Sequence, residues 1–308
     1  MLIVILFLQF EDIDYHGLTP GTEALAMAGV STTSFFNNPS LVFYNPAGIS
    51  LLPASLFRYE RYYLRECGLD SNRFPKYSVS LLTPDVSFFF HPAISFDTTI
   101  EFTSNSYYER EHRRVNLTEF IVTVTSRTGN QLTLKELIYF GLNFKLYSGQ
   151  YLSIKAMKTG NLWQEPVEKI SSTLSPGCDL GVLLWYDKVS IGAMVEDLYT
   201  RISWKESDAF TLDRTYRIGF GLRPVKDIYL GIGGEYQNRW TVASGTEIFL
   251  GTGKGGIFIR GGIDYDPDSG KSCFSGGLGF FTPMFRLDGG IRYTDPGVVI
   301  AIGSSVTE

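Results

Sequence analysis

Phe285-Arg286-Leu287-Asp288-Gly289-Gly290-Ile291-Arg292-Tyr293 is the stretch that decides the fold. A β-strand sends successive side chains to opposite faces. Phe285, Leu287, Ile291 and Tyr293 therefore share one face, and Arg286, Asp288, Gly290 and Arg292 share the other. A soluble sandwich alternates in the same way, so one run does not say which face meets lipid. Repetition decides it. Tyr216, Ile218, Phe220 and Leu222 oppose Arg217, Gly219, Gly221 and Arg223. Ile228, Leu230, Ile232 and Tyr236 oppose Asp227, Tyr229, Gly231, Gly233 and Glu235, and Ile257, Ile259, Ile263 and Tyr265 oppose Phe258, Arg260, Gly262 and Asp264. Charges and glycines keep to one face throughout, as they do in the lumen of a closed, antiparallel transmembrane β-barrel whose other face meets lipid. On that reading Leu287→Arg is more damaging than Arg286→Leu.

Composition agrees. The chain has 308 residues, 44% of them apolar, and a net charge of -5, which excludes both a disordered chain and a bundle of membrane helices. A spanning helix needs about 20 mostly apolar residues, and the only comparable run, Met1 to Phe10, is half that length. A barrel hides its membrane signal because only alternate residues face lipid, and its aromatic girdles account for 23 Phe and 18 Tyr. Residues 1–17 resemble the apolar core of a secretory signal without its basic start, so they read either as a signal remnant or as an N-terminal extension. Cys67, Cys178 and Cys273 form no metal or redox motif. The acidic balance leaves no basic stripe for nucleic acid. His16, His91 and His112 are isolated, which disfavours zinc. Gly251 to Gly256 lacks the end of a phosphate loop and reads as a turn. Neither an enzyme nor a cofactor is expected.

Alternation and turn residues give fourteen strands, beginning near Ser55, Lys76, Val86, Val115, Lys135, Cys178, Lys188, Arg214, Asp227, Ser244, Gly255, Lys271, Met284 and Gly297. Short connections, around Pro84, Gly129, Asp187, Pro224, Gly253 and Pro283, alternate strictly with mostly longer ones at 64–75, 104–114, 158–176, 198–213, 237–243, 265–270 and 294–296. Short periplasmic turns and long extracellular loops produce that order. Pro92 predicts a bulge, kink or break in the strand that follows Ser87. The barrel proper is expected over residues 54–308. Fourteen strands enclose more space than wall side chains fill, and residues 18–53, with Pro20, Pro39, Pro46 and Pro53 and little alternation, are the material for a plug.

That segment also carries a resemblance. Gly21 to Gly29 (GTEALAMAG), followed by Asn37 to Ser50 (NNPSLVFYNPAGIS), resembles the N-terminal signature of FadL-like outer-membrane barrels, including the PorV/PorQ relatives and a barrel family of spirochaetes. Tyr44, Asn45, Pro46, Ala47 and Gly48 match its aromatic-Asn-Pro-Ala-Gly motif in full, while Ala28 and Asn37-Asn38 depart from its usual Gly and acidic pair. DLGVLLWY, DLYTRISW and YRIGFGLRP extend the likeness into the C-terminal half. The chain ends in Val306-Thr307-Glu308 rather than the aromatic residue common in such barrels. The resemblance implies a bacterial outer-membrane location, fourteen strands, an N-terminal hatch in the lumen and, for the FadL branch, passive uptake of hydrophobic, fatty-acid-like small molecules. For the PorV branch it implies instead an accessory barrel that binds a secretion or envelope protein through its loops.

Read as residues, Asn45 before Pro46 is driven out of the helical region and its amide is free to bond local backbone, while Gly48 turns the chain where a side chain would clash. The motif is then either part of a gate or a turn before the first strand. Phe35, Phe36, Leu41, Phe43 and Tyr44, with Asn45, Pro46, Ala47 and Gly48, are the candidates to line a ligand pocket, or equally to pack a plug against the wall. Arg217, Arg223, Glu235, Arg260, Asp264, Arg286, Asp288 and Arg292 are the lumen candidates, either tuning a polar path or tying wall to plug. Glu196-Asp197, with Tyr199, Arg201 and Trp204, marks an aromatic loop that either meets a ligand or partner or anchors at the interface. The partners expected are membrane lipid and, according to branch, a hydrophobic ligand or an envelope protein.

Overall fold

The computed structural model describes residues 21–30, 32–33, 40–52, 54–66, 77–104, 107–129, 136–159, 162–205, 210–252, 255–294 and 297–307. The stretch 1–17 and the pair Phe35 and Phe36 lie outside the described residues. Within the described residues fourteen strands form the wall: β1 (Leu56–Glu66), β2 (Tyr77–Leu82), β3 (Val86–Ser104), β4 (Tyr107–Gly129), β5 (Glu136–Thr159), β6 (Val167–Tyr186), β7 (Val189–Ile202), β8 (Thr215–Val225), β9 (Ile228–Gln237), β10 (Arg239–Thr252), β11 (Gly255–Asp266), β12 (Lys271–Phe281), β13 (Phe285–Thr294) and β14 (Gly297–Thr307). Each is antiparallel to its neighbours in sequence, and β1 pairs with β14 from Leu56 opposite Thr307 to Glu66 opposite Gly297, which closes the barrel. Two-residue ribbons at Leu162–Trp163 and Phe210–Thr211 extend β5 and β7.

Closure fixes which face is out. Leu287, Tyr293 and Ile218 are 44%, 54% and 56% exposed, whereas Arg286 and Asp288 are 3% and 1% exposed. In a sandwich the aliphatic groups would be the hidden ones. Here they form the outer surface, and among the described residues no helix is long and apolar enough to cross a membrane. The strands cross it.

Eleven of the strands begin within one residue of their expected starts, and three do not. β4 begins at Tyr107 rather than Val115, β6 at Val167 rather than Cys178, and β10 at Arg239 rather than Ser244. The stretches read as loops at 104–114, 158–176 and 237–243 are therefore largely strand, and β7 runs through Tyr199 and Arg201 to Ile202. Strict alternation of short and long connections does not hold. β3 to β6 contain 19, 23, 24 and 20 residues, about twice the 9–11 that a tilted strand needs to cross a bilayer. Beyond the bilayer there is no lipid to enforce apolar alternation, so backbone hydrogen bonds hold the ribbon together without that sequence mark.

The proline signal reads correctly. β3 stays continuous, with a register shift against β4 between Pro92 and Ile94, where the missing proline N–H needs no partner. A wider irregularity lies in β7, where Glu196, Asp197 and Leu198 stand against Asp179 of β6 alone. Asp197 there adopts a left-handed φ of 52°, and its N–H donates to Asp179 Oδ1 at 2.8 Å.

Candidate functional site

Residues 21–52 contribute three short elements, α1 (Thr22–Ala26), α2 (Leu41–Tyr44) and a 3-10 helix over Pro46–Leu51. All three are buried against the inward face of the wall. The inward glycines explain how this segment fits. A Cβ built on Gly290 would lie 2.7 Å from Thr22 O, on Gly277 2.5 Å from Ala26 Cβ, and on Gly262 2.5 Å from Met27 C. The series continues with Gly245 at Met27, Gly231 at Val30, Gly221 at Thr33, Gly192 at Thr32, Gly181 at Asn45 and Gly141 at Ala47. Read in that order these glycines step through β13, β12, β11, β10, β9, β8, β7, β6 and β5 one strand at a time. They form a side-chain-free track, and the segment's backbone runs along it in contact that no larger residue permits.

The Asn-Pro-Ala-Gly motif ends the track. Asn45 Oδ1 accepts from the Ala47 N–H at 3.2 Å and so caps the 3-10 helix, with Pro46 in its first turn where no N–H is required. The same side chain donates through Nδ2 to Val182 O of β6 at 2.9 Å and to Thr32 O at 3.1 Å. Asn143 of β5 returns the contact, donating to Val42 O at 2.9 Å. A Cβ on Gly48 would meet Leu41 Cδ1 at 2.9 Å. Local turn and wall attachment are thus made by one residue, Asn45. Leu41, Phe43 and Tyr44 join an apolar cluster with Leu52, Leu56, Leu82, Phe89 and Ile121, which lies on the β1 to β4 side. The Phe43 and Phe89 rings meet edge-on with centroids 4.3 Å apart.

Two ionic groups flank this core. In the first, Glu23 of α1 sits between Arg58 (2.7 Å) and Arg286 (3.1 Å), and the Thr22 backbone N–H donates to Glu60 at 2.8 Å. Arg58 also holds Glu60 at 2.8 Å and Asp288 at 3.5 Å, while Arg260 bridges Asp288 (2.9 Å) and Glu247. Burial pushes the Glu23 carboxyl above the ordinary carboxylate range, with Arg58 pulling it the other way. In the second, Lys145 contacts Asp179 at 2.9 Å, Asp197 at 3.2 Å, Glu196 at 3.4 Å and Glu119 at 3.5 Å. His91 Nε2 lies 2.6 Å from Glu119 Oε2, and Arg217 links Glu196 and Glu235, each at 2.6 Å.

Of the lumen candidates read from sequence, Arg260, Arg286 and Asp288 fall in the first group, Arg217 and Glu235 in the second, and Arg292 pairs with Asp264 at 3.0 Å. Arg223 stands apart from these groups, donating through Nε to Lys226 O at 2.7 Å in the β8–β9 turn. Trp204 is tucked into an apolar cluster with Val115, Leu117, Tyr147 and Ile202, whereas Tyr199 is exposed. Sequence reading missed Glu23, Arg58, Glu60, Glu119, Lys145, Asp179 and Glu247, and it placed Asp197 in an aromatic loop rather than in this ionic group. The signal was present: Arg58 and Glu60 alternate with Phe57 and Tyr59, and Asn143 and Lys145 alternate with Phe144 and Leu146.

Two solved structures share this architecture. The CymD monoaromatic hydrocarbon channel superposes with a TM-score of 0.59 at 11% identity, over 94% of this chain and 97% of that chain. The Pseudomonas putida toluene transporter TodX gives a TM-score of 0.50 at 12% identity, over 93% of this chain and 96% of that one. The chain shares the fold of these two barrels. No family model matches the chain, and no curated protein matches it in sequence.

Proposed function

We propose that this protein is an outer-membrane barrel through which hydrophobic small molecules enter passively, and that residues 18–53 act as its hatch. The observation that carries the reading is the apolar cluster of Leu41, Phe43, Tyr44, Phe89 and Ile121, which faces the inside of a barrel with the fold of two hydrocarbon channels. A ligand would enter from the tall ends of β3 to β6, which stand outside the cell on this reading. Burial of its apolar surface would supply about 25 cal/mol per Å². The ion pairs joining Glu23 to the wall favour a second reading, an accessory barrel whose lumen stays sealed and whose loops hold an envelope protein.

One experiment separates them. Vesicles with a lipopolysaccharide outer leaflet, which slows apolar solutes, are prepared with and without the protein, and entry of radiolabelled toluene is followed. Faster entry with the protein, altered again by Phe43→Ala, supports uptake. Equal rates with and without it support the sealed barrel.

A further inference from the structure

The tall part of the wall is a ribbon of four strands, β3 to β6, and a ribbon has two edges. On the β3 side the neighbouring strands stop early. β1 and β2 pair up to Arg61 opposite Tyr77, and β2 meets β3 from Leu82 opposite Ser87 to Val79 opposite Phe90. Carried upward past the extra residue Ala93, that register sets Glu66, the last residue of β1, level with Thr98. Thr99 to Ser104 therefore stand above the top of β1, a strip of edge roughly 20 Å long. Among the described residues they pair with β4, from Thr99 opposite His112 to Ser104 opposite Tyr107, and with no strand on their other side. Every second residue there turns its N–H and C=O to the open side.

The two edges are finished differently. Lys205 donates its N–H to Ser172 O of β6, and above that point the β6 edge carries Glu168 and Lys169, with Pro166 just before it, all exposed. Charges and prolines keep a foreign strand from joining a sheet. The β3 strip reads Thr99-Ile100-Glu101-Phe102-Thr103-Ser104, without proline or lysine, and its one charge, Glu101, faces Arg110 of β4 at 3.6 Å. Its β-branched and aromatic residues favour an extended chain. A second copy of this protein is not the strand that completes it. Two copies paired through this edge are related by a twofold axis along the membrane normal, so strands tilted by about 35–45° cross at about 70–90° instead of lying side by side. The β6 edge of a neighbouring copy is blunted by its charges.

We propose that Thr99 to Ser104 form a docking edge that takes an extended segment of another protein as an added strand. Main-chain hydrogen bonds supply the affinity, and Glu101 favours a lysine or arginine beside it. The partner is thus a protein with an unpaired, extended and basic stretch, met on the side of the membrane where the ribbon stands. The inference goes beyond uptake, since a conducting barrel and a sealed one carry the same edge.

The test uses the full chain in phosphatidylcholine nanodiscs and a displayed library of extended peptides of about seven residues, near the usual strand length. Peptides retained on the protein and not on empty nanodiscs are synthesised, together with two versions N-methylated at alternate residues. Each version keeps the side chains and loses the main-chain donors of one edge. At least one of the two is expected to bind about tenfold or more weakly than the parent peptide. Glu101→Lys, a change on an exposed side chain, should weaken the basic peptides and leave the barrel folded. Binding that both N-methylated versions retain, or that Glu101→Lys leaves unchanged, overturns the docking edge. So does a selection in which nothing is retained beyond empty nanodiscs. None of these results bears on the entry of toluene, so the uptake reading fails or survives separately.

Discussion

Two halves of the wall hold the same inner segment by opposite means. From β5 to β13 the segment's backbone lies on glycines, and the fit depends on atoms that are absent. From β1 to β4, whose strands carry no glycine before Gly129, it meets Arg58, Glu60, Phe89 and Ile121, and the fit depends on side chains that are present. A backbone seated on bare strand has no rotamer to change, whereas Phe43 against Phe89 does. The β1 to β4 side is accordingly the half in which a passage could open without unseating the segment.

The contrast predicts opposite responses to substitution, the largest at Arg58. It is 2% exposed and holds Glu23, Glu60 and Asp288 at once. Arg58→Leu strands buried carboxylates and is expected to cost about 3–5 kcal/mol in urea unfolding of the liposome-inserted barrel. A loss below about 1 kcal/mol would mean that the segment is not anchored by charge on this side. Phe89→Ala should cost about 3–4 kcal/mol through transfer and cavity terms. A double-mutant cycle with Phe43→Ala should show coupling of about 0.5–1.5 kcal/mol for the edge-on pair. Additive losses would show that segment and wall do not share this contact. On the outer face Leu287→Arg is expected to cost about 2–4 kcal/mol if its depth is near the midplane, falling toward the interface. Tolerance of the charge there would remove lipid as the solvent of that face.

Legibility from sequence followed the solvent. Where lipid lies on one side and a polar lumen on the other, as in β8 and β13, alternation reports the facing of each residue directly, and Ile218 and Arg217 were separable without coordinates. In the tall parts of β4 and β6 water lies on both sides of the ribbon, so polar stretches such as Tyr107 to Arg114 look like loop although they are paired throughout. The segment before β1 stood out from the wall by its lack of alternation, and Asn45 by its neighbour Pro46. Its partners Val182 and Thr32 did not, because a side chain that bonds a backbone carbonyl leaves no mark on the residue type that supplies it. Ranking Arg286→Leu below Leu287→Arg rested on facing alone and took no account of burial: Arg286 is 3% exposed between Glu23 and Asp288, so removing it unpairs charge rather than relieving it. Glycines were seen to share the charged face, but their purpose depended on a second layer of chain that alternation cannot reveal.

The adjacent glycines of β13 give the smallest effect and the cleanest comparison. Gly289 points outward, and a Cβ there would find nothing nearer than Leu278 O at 3.9 Å; on Gly290 it would stand 2.7 Å from Thr22 O. The residues share a strand, a depth and a composition change, so strand propensity and loss of backbone freedom on folding are nearly equal for Gly289→Ala and Gly290→Ala. What differs is the segment on one side only. Gly290→Ala should lose about 1–3 kcal/mol by overpacking, whereas Gly289→Ala should stay within about 0.5 kcal/mol of the parent. If the segment left the track readily, Gly290→Ala would unfold like Gly289→Ala, and a truncated chain beginning at residue 54 would show no difference between them in either case. A gap in the full chain that vanishes in the truncated one assigns the cost to contact with residues 21–52 rather than to the sheet itself.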